Sequence, residues 1–83
     1  MFFLAQSSMK INEIIVKPQL AKWLKKKRIN QHELSNLTGV NQATISRFDS
    51  QTRHDDRHLF AIAHALGIKI EDLFEVTFKE DVS

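Results

Sequence analysis

The feature that most constrains this chain is a pair of short helical segments on either side of Gly39. Asn30 begins an Asn-x-x-Glu spacing, in which the Asn side chain accepts from backbone N–H groups while Glu33 reaches back, so a helix begins there. Gly39 can adopt the positive φ that ends such a helix, and Asn41 caps the next one. Only three or four residues connect the two helices, a separation typical of two helices that pack at a steep angle.

Packing at a steep angle requires particular residues, and the chain has them. Ser35 supplies a small side chain where the second helix crosses the first, and Gly39 supplies the turn. Val40, Ile45 and Phe48 are the apolar residues that would seat the second helix on a core. The spacing is typical of a DNA-binding helix-turn-helix: a small residue, Ser35, is followed four residues later by Gly39 and six residues after that by the apolar Ile45.

Apolar periodicity predicts the other elements. Leu20, Trp23 and Leu24 share one face of a helix that follows Gln19, and a further helix extends from an Asp55 cap. The expected helices and turns are a first helix from residue 19, a second from 31, a third over 41–48, a fourth over 55–67 and a last helical turn over 71–74. Short strands are expected at 11–17 and 74–79, with Pro18 closing the first and period-two alternation marking the second.

We therefore expect an all-α domain of five helices at residues 19–74. An N-terminal extension with a short strand at 1–18 precedes it, and a strand with an acidic tail at 75–83 follows it. Met9 is an alternative start, which the sequence does not settle. The strands either pair within one chain and close its own core, or join Phe2, Phe3 and Leu4 in a surface between two chains.

Composition excludes whole classes of function. The chain has 83 residues, enough for one domain, and no cysteine. Disulfide scaffolds, thiolate zinc sites, iron–sulfur clusters and thiol nucleophiles are thereby excluded. No apolar run approaches the roughly 20 residues that a membrane-spanning helix needs, so we expect no membrane partner.

The charge is unevenly distributed along the chain. Residues 17–57 contain nine Lys and Arg against four Asp and Glu, a net +5, whereas residues 58–83 contain two against five, a net −3. Such a division favours a surface that faces a polyanion, although random surface variation is the alternative. The run from Lys25 to Arg28 either attracts phosphates or is simply a solvated helix end.

The chain resembles the Cro/C1-type helix-turn-helix regulators of phages and bacteria. The resemblance covers residues 19–74, about two-thirds of the chain, and includes Gln31-His-Glu-Leu-Ser35, Thr38-Gly-Val-Asn-Gln42, Thr44-Ile-Ser-Arg-Phe48, Leu59-Phe-Ala-Ile-Ala-His-Ala-Leu-Gly67 and Ile70-Glu-Asp-Leu-Phe74. It implies a five-helix lambda-repressor-like fold and a cytoplasmic, nucleoid-associated DNA-binding protein without a cofactor.

Helical geometry indicates which residues would contact base edges. At about 100° per residue, Ala43, Ser46 and Arg47 point away from the buried side of the third helix, with Gln42 at its N-terminal tip. This face has no acid and no large apolar side chain. Gln42 could pair with adenine, Arg47 with guanine, and the Ala43 methyl could meet the thymine methyl. A merely solvated polar face is the alternative.

Phosphate contacts are expected around this helix. The resemblance implies that Gln31 holds a phosphate and braces Gln42. The other candidates are Asn41, Thr44, Ser50, Thr52 and Arg53. Such contacts position a protein on DNA without specifying sequence.

Three positions depart from the family pattern. Many members pair an Arg of the first helix with an acid after the recognition helix, whereas this chain has Leu24 and Asp49 there. Asp56 occupies a position that is usually apolar, and Arg28 replaces a common helix-ending Gly.

Other functions have weaker support. His54 and His58 have i, i+4 spacing, but no third ligand is evident and His54 precedes the fourth helix, so we expect no metal site and place His54 in the phosphate-facing loop. No nucleophile lies beside a base, and no glycine-rich phosphate loop or carboxylate pair is present, so we expect no enzyme.

The sequence thus predicts a transcriptional regulator, most simply a repressor, that binds double-stranded DNA through helix 41–48. We expect a homodimer on a pseudo-palindromic operator, because one recognition helix covers few base pairs. The alternative is a protein-binding module, such as an antirepressor or antitoxin, that uses the acidic tail as its contact surface.

Overall fold

The computed structural model describes residues 10–79, which form four short α-helices and a two-stranded sheet. In chain order the elements are a 3₁₀ turn (Ile11–Glu13), β1 (Ile14–Pro18), α1 (Leu20–Lys27), α2 (Gln31–Thr38), α3 (Gln42–Arg47), a 3₁₀ turn (Phe48–Ser50), α4 (Asp56–Leu66), a 3₁₀ turn (Ile70–Leu73) and β2 (Phe74–Phe78). No helix in this part of the chain is long and apolar enough to cross a membrane.

The fifth expected helix is a single 3₁₀ turn, so five helices are not confirmed and the described part is mostly helical rather than all-α. Asp72 N donates to Lys69 O at 3.0 Å, and Lys69 N donates to Asp72 Oδ2 at 3.1 Å, which closes a three-residue turn. Phe74 already belongs to β2. The four residues Ile70–Leu73, between Lys69 and Phe74, are too few for an α-helix.

The capping residues expected for α2 and α4 are confirmed. Asn30 Oδ1 accepts from Glu33 N at 2.8 Å, and Asp55 Oδ1 accepts from Arg57 N at 2.8 Å. The Arg57 N–H lowers the pKa of Asp55, because the hydrogen bond favours the ionised carboxylate. The α4 cap therefore stabilises the fold above the ordinary pKa of Asp and is lost as the pH falls through the lowered value. Gly39 and Gly67 end α2 and α4 with φ of 77° and 69°.

Every helix contributes to one core. Its ten apolar members are at most 8% exposed: Leu20, Leu24, Leu34, Val40, Ile45, Phe48, Ile62, Ala63, Leu66 and Leu73. Burial of a side chain as large as Leu, Ile or Phe stabilises a fold by about 1.5–3 kcal/mol. Asp56 does not disturb this core, because it is exposed in the first turn of α4, where a negative charge is favourable.

The two strands pair antiparallel within one chain, where they form a ribbon. Residues directly opposite each other share a face. One face is therefore entirely apolar, the apolar ribbon face, with Ile14 opposite Phe78, Val16 opposite Val76 and Pro18 opposite Phe74. Val16, Val76 and Phe78 are 52%, 45% and 55% exposed, so much of this face is accessible to solvent in the monomer.

Both strands are shorter than expected. β1 begins at Ile14 rather than at residue 11, because Glu13 N donates to Lys10 O at 2.8 Å and Lys10 N donates to Glu13 Oε1 at 2.9 Å, which closes a 3₁₀ turn. β2 ends at Phe78 rather than at residue 79. The expected contribution of Phe2, Phe3 and Leu4 lies outside the described residues.

Arg28 is the one non-glycine residue with positive φ in the described part (57°), at the end of α1. Arg28→Gly should raise the free energy of unfolding by about 0.5–1 kcal/mol, because relief of the left-handed conformation exceeds the entropy that Gly adds to the unfolded chain. Urea unfolding of both proteins measures the difference. Lys25→Gly, at an exposed position inside the helix, is the control and should lower the free energy of unfolding by about 1 kcal/mol. A loss of stability in Arg28→Gly would contradict the prediction.

Candidate nucleic-acid interface

Short hydrogen bonds hold the turn between α2 and α3. Ser35 Oγ donates to Val40 O at 2.6 Å, so this small residue also satisfies a carbonyl of the turn. Thr38 Oγ1 donates to Leu34 O at 2.7 Å and accepts from Val40 N at 3.1 Å. Val40 itself is 4% exposed. The turn therefore holds the two helices in one arrangement.

The third helix is amphipathic, as helical geometry predicted. Ile45 and the following Phe48 are 3% and 1% exposed, and both belong to the core. The four candidates for base contact, on the other side or at the tip, are all exposed: Gln42, Ala43, Ser46 and Arg47. The helix ends at Arg47 instead of residue 48, because the chain tightens there into the 3₁₀ turn Phe48–Ser50.

The exposed face of α3 carries groups that suit base edges. It offers an amide, a methyl, a hydroxyl and a guanidinium, with no carboxylate between Gln42 and Arg47. In the major groove these groups can donate to guanine, pair with adenine and contact a thymine methyl.

The phosphate candidates lie at the start of α2, beside and within α3, and in the residues between α3 and α4. Gln31 is half-buried as the first residue of α2, Thr44 is half-buried within α3, and Thr52 and Arg53 are exposed in the loop before α4. Asn41 is exposed, but its Oδ1 accepts from Ala43 N at 2.7 Å. The remaining amide protons of Asn41 could still donate to a phosphate oxygen.

The exposed Ser50 also uses part of its hydrogen-bonding capacity within the chain. Its Oγ donates to Arg47 O at 3.0 Å, which leaves the oxygen free to accept but its proton already used. As a phosphate ligand, Ser50 would therefore have to exchange this intramolecular bond.

Asp49 has a role that its sequence position did not reveal. Its Oδ1 accepts from Leu20 N at 2.7 Å and its Oδ2 from Ala21 N at 2.9 Å, so the carboxylate caps α1 from outside. Gln19, the residue before α1, makes no side-chain cap. Leu24, at the position where many family members have the partner Arg, is buried in the core instead. The missing ion pair is thus replaced by a carboxylate bound to backbone amides.

His54 does not face outward as a phosphate ligand. Its ring is half-buried, with centroids 4.1 Å from Phe48 and 5.6 Å from Phe74, and its Nε2 lies 2.8 Å from Phe48 O. The expectation of a phosphate-facing His54 is therefore wrong, because aromatic packing and a backbone carbonyl use this ring. Among residues 10–79, no three His, Cys, Asp or Glu side chains form a group that could hold a metal ion.

Positive charge lies close to this surface in the chain. The four basic residues at the end of α1, Lys25–Lys27 and Arg28, are exposed, and the Nζ atoms of Lys26 and Lys27 lie 5.0 and 6.0 Å from the Trp23 ring centroid. The one ion pair found in residues 10–79 joins Arg57 to Asp55 at 3.9 Å. No acid in that part of the chain therefore neutralises Arg47 or Arg53 directly.

The model of a protein family described as the Cro/C1-type HTH DNA-binding domain matches residues 19–79. The chain belongs to this family. No curated protein and no solved structure gives a significant match. The match begins one residue before α1 and ends one residue after β2, so it includes the turn, the exposed face of α3 and the second strand of the ribbon. As a member of this DNA-binding family the protein is a DNA-binding regulator, and such domains are typically non-enzymatic.

The Cro/C1-type turn depends on one backbone conformation. A Cβ added to Gly39 would meet no atom within 4 Å, so the only obstacle to a larger residue is its φ of 77°. Gly39→Ala should therefore lower the free energy of unfolding by about 1–2 kcal/mol, and Gly39→Asn by less, because Asn tolerates the left-handed region better. Urea unfolding measures both. Equal stability of Gly39→Ala and the parent would contradict this assignment.

Proposed function

We propose that the protein is a sequence-specific repressor, which binds double-stranded DNA in the major groove through α3 and prevents transcription by occlusion. It acts in the cytoplasm, at the nucleoid, without a cofactor and without catalysis. Base contacts come from Gln42, Ala43, Ser46 and Arg47. Phosphate contacts come from Gln31, Asn41, Thr44, Ser50, Thr52 and Arg53.

The observation that carries this proposal is the exposed face of α3. All four base-contact candidates are exposed while Ile45 is buried, so the helix presents only polar and small groups outward. Every surface helix is polar on its outer side, so what distinguishes α3 is that its outer side has no carboxylate and directly follows the turn after α2. In a protein-binding module, an outward face usually includes an aromatic or aliphatic anchor, and α3 has none on that side.

Specificity requires a second copy. Six residues of helix cover few base pairs, so we propose a homodimer that binds a pseudo-palindrome through two half-sites. The apolar ribbon face is its contact surface, because Val16, Val76 and Phe78 leave about half of each side chain exposed in one chain. A two-stranded sheet is also only marginally stable unless its apolar face is covered.

A second candidate function uses the same surface differently. If the apolar ribbon face receives another protein, the chain is an antirepressor or an antitoxin-like module, and the acidic tail contributes to recognition.

The test is selection of binding sites by the purified protein. Fragments of genomic duplex DNA are incubated with the full chain at near-physiological salt, and bound fragments are sequenced. We expect one enriched pseudo-palindrome, which Gln42→Ala and Arg47→Ala no longer enrich. Salt-sensitive binding without an enriched sequence would favour the protein-binding module.

Arg47 and Arg53 should differ in the kind of contact they make. Arg47→Ala should weaken the free energy of binding to the selected operator by about 1–3 kcal/mol, since a bidentate contact to guanine is lost. It should also reduce the preference for guanine at one position of the operator. Arg53→Ala should weaken binding to all sequences alike and reduce the salt slope by roughly one. Titrations at several salt concentrations measure both, with Lys79→Ala at the tip of the ribbon as the charge control. The reverse pattern would contradict the division of contacts.

Phe78→Asp should dissociate the dimer, because it places a charge in the apolar contact surface. Sedimentation at micromolar concentration measures the mass, and thermal unfolding measures stability. Thr77→Asp is the matched control, since it adds the same charge to the same strand on the opposite face. If both variants keep the mass and stability of the parent, the ribbon is neither an interface nor part of the core.

A further inference from the structure

The 3₁₀ turn Phe48–Ser50 joins three parts of the molecule directly after the recognition helix. It follows α3 without an intervening residue and contacts both α1 and β1. Asp49, in the middle of this turn, lies two residues from Arg47, which we assign to base contact. The orientation of α3 relative to α1 and the strands therefore depends in part on this turn.

We call the contacts of the turn Phe48–Ser50 with α1 and the ribbon the junction, and its polar part is the Asp49 carboxylate. Its two oxygens accept from two successive backbone N–H groups, Leu20 N at 2.7 Å and Ala21 N at 2.9 Å. Two bonds from one planar group restrain an angle as well as a distance. The positive end of the α1 dipole also favours the negative charge. The end of the recognition helix is thereby held in one orientation on α1.

The start of α1 is in turn bound to the base of the ribbon. Gln19 N donates to Leu73 O at 2.8 Å, and Gln19 Nε2 donates to Asp72 O at 3.0 Å. Trp23 Nε1 donates to the same Asp72 carbonyl at 2.6 Å. Leu73 is the last residue before β2. Hydrogen bonds therefore connect α3 to the ribbon through Asp49 and α1.

The apolar part of the junction also connects the end of α3 to the ribbon. The Phe48 ring lies 6.0 Å from that of Phe74 at the base of β2, and the His54 ring packs against both. These tilted and edge-on ring contacts hold the end of α3 near the ribbon but include no hydrogen bond between the rings, whereas the two Asp49 bonds restrain direction.

We propose that Asp49 is a positioning residue that determines the half-site spacing this protein accepts. The inference rests on the proposed function, in which the ribbon is the dimer surface. The orientation of α3 relative to the ribbon then sets the distance and angle between the two recognition helices of a dimer. Half-sites lie about one helical turn apart when two such helices bind one face of the DNA.

Rigidity of this junction has a measurable consequence. When both recognition helices are held at one separation, binding of the first half-site presents the second helix at a high effective concentration to a half-site at the matching distance. Loosening the junction lowers that concentration and spreads it over several distances. Affinity for one isolated half-site does not depend on this geometry.

The test uses the full chain and the operator that it selects. Affinities are measured for duplexes with the selected spacing, with one or two base pairs inserted or removed, and with a single half-site. Asp49→Ala removes both bonds, and Asp49→Asn leaves one acceptor in place. Asp55→Ala is the matched control, because it removes one negative charge and one helix cap on α4, outside the junction. All proteins are compared at a temperature where unfolding curves show them folded.

We expect the parent protein and Asp55→Ala to lose roughly tenfold or more in affinity when the spacing changes by one or two base pairs. The affinity of Asp49→Ala for the duplex with the selected spacing should fall about tenfold, and its affinities for the different spacings should differ by less than about threefold. Its affinity for the single half-site should equal that of the parent. Asp49→Asn should lie between the two. Because Asp49→Asn retains one bond, it also carries the test if Asp49→Ala does not fold.

Two results would overturn the inference. In the first, Asp49→Ala and Asp49→Asn keep the spacing profile of the parent, and in the second they lose the same factor on the single half-site as on the full operator. Failure of the proposed function is visible separately, because the parent protein itself would then select no sequence with two half-sites.

Discussion

The burial of Ile45 and Phe48 is the interaction on which the rest of the structure depends. A helix of six residues is far below the length at which a helix is stable by itself in water. α3 therefore exists because these two side chains, at most 3% exposed, are held in the core. The exposed groups of the same helix acquire a defined direction only through that burial. The DNA-binding face is thus a consequence of packing on its opposite side.

Hydrogen bonds near Ile45 and Phe48 restrain the orientation of α3, which apolar packing alone does not determine. Ser35 and Thr38 satisfy the backbone of the turn, and Asp49 holds the end of the recognition helix on α1. Neutral hydrogen bonds such as those of Ser35 and Thr38 contribute about 0.5–1.5 kcal/mol each, and bonds to a charged group such as Asp49 about 1.5–3 kcal/mol. They also restrain direction, and direction decides whether a base edge can be reached.

Local signals predicted most of the helical part of the fold. Capping by Asn30 and Asp55 depends on a side chain and a backbone amide within three residues, so the chain order alone reveals it. The same holds for Gly39, whose left-handed conformation ends α2. The fifth helix was overestimated, because a helix-like pattern of apolar residues also fits the short 3₁₀ turn before β2. The contacts of Asp49 and His54 were missed, because their partners lie farther along the chain than the few residues over which local patterns act.

Spacing along the chain was enough to predict the order of the elements, the caps of α2 and α4 and the chemistry of the exposed face of α3. Only the tertiary structure decided that the two strands pair within one chain, that Asp49 binds the start of α1, and that His54 turns inward between Phe48 and Phe74. These are contacts between groups far apart in sequence or choices of side-chain direction. Nothing in local periodicity encodes either, because both are set by which surfaces meet after the core has formed.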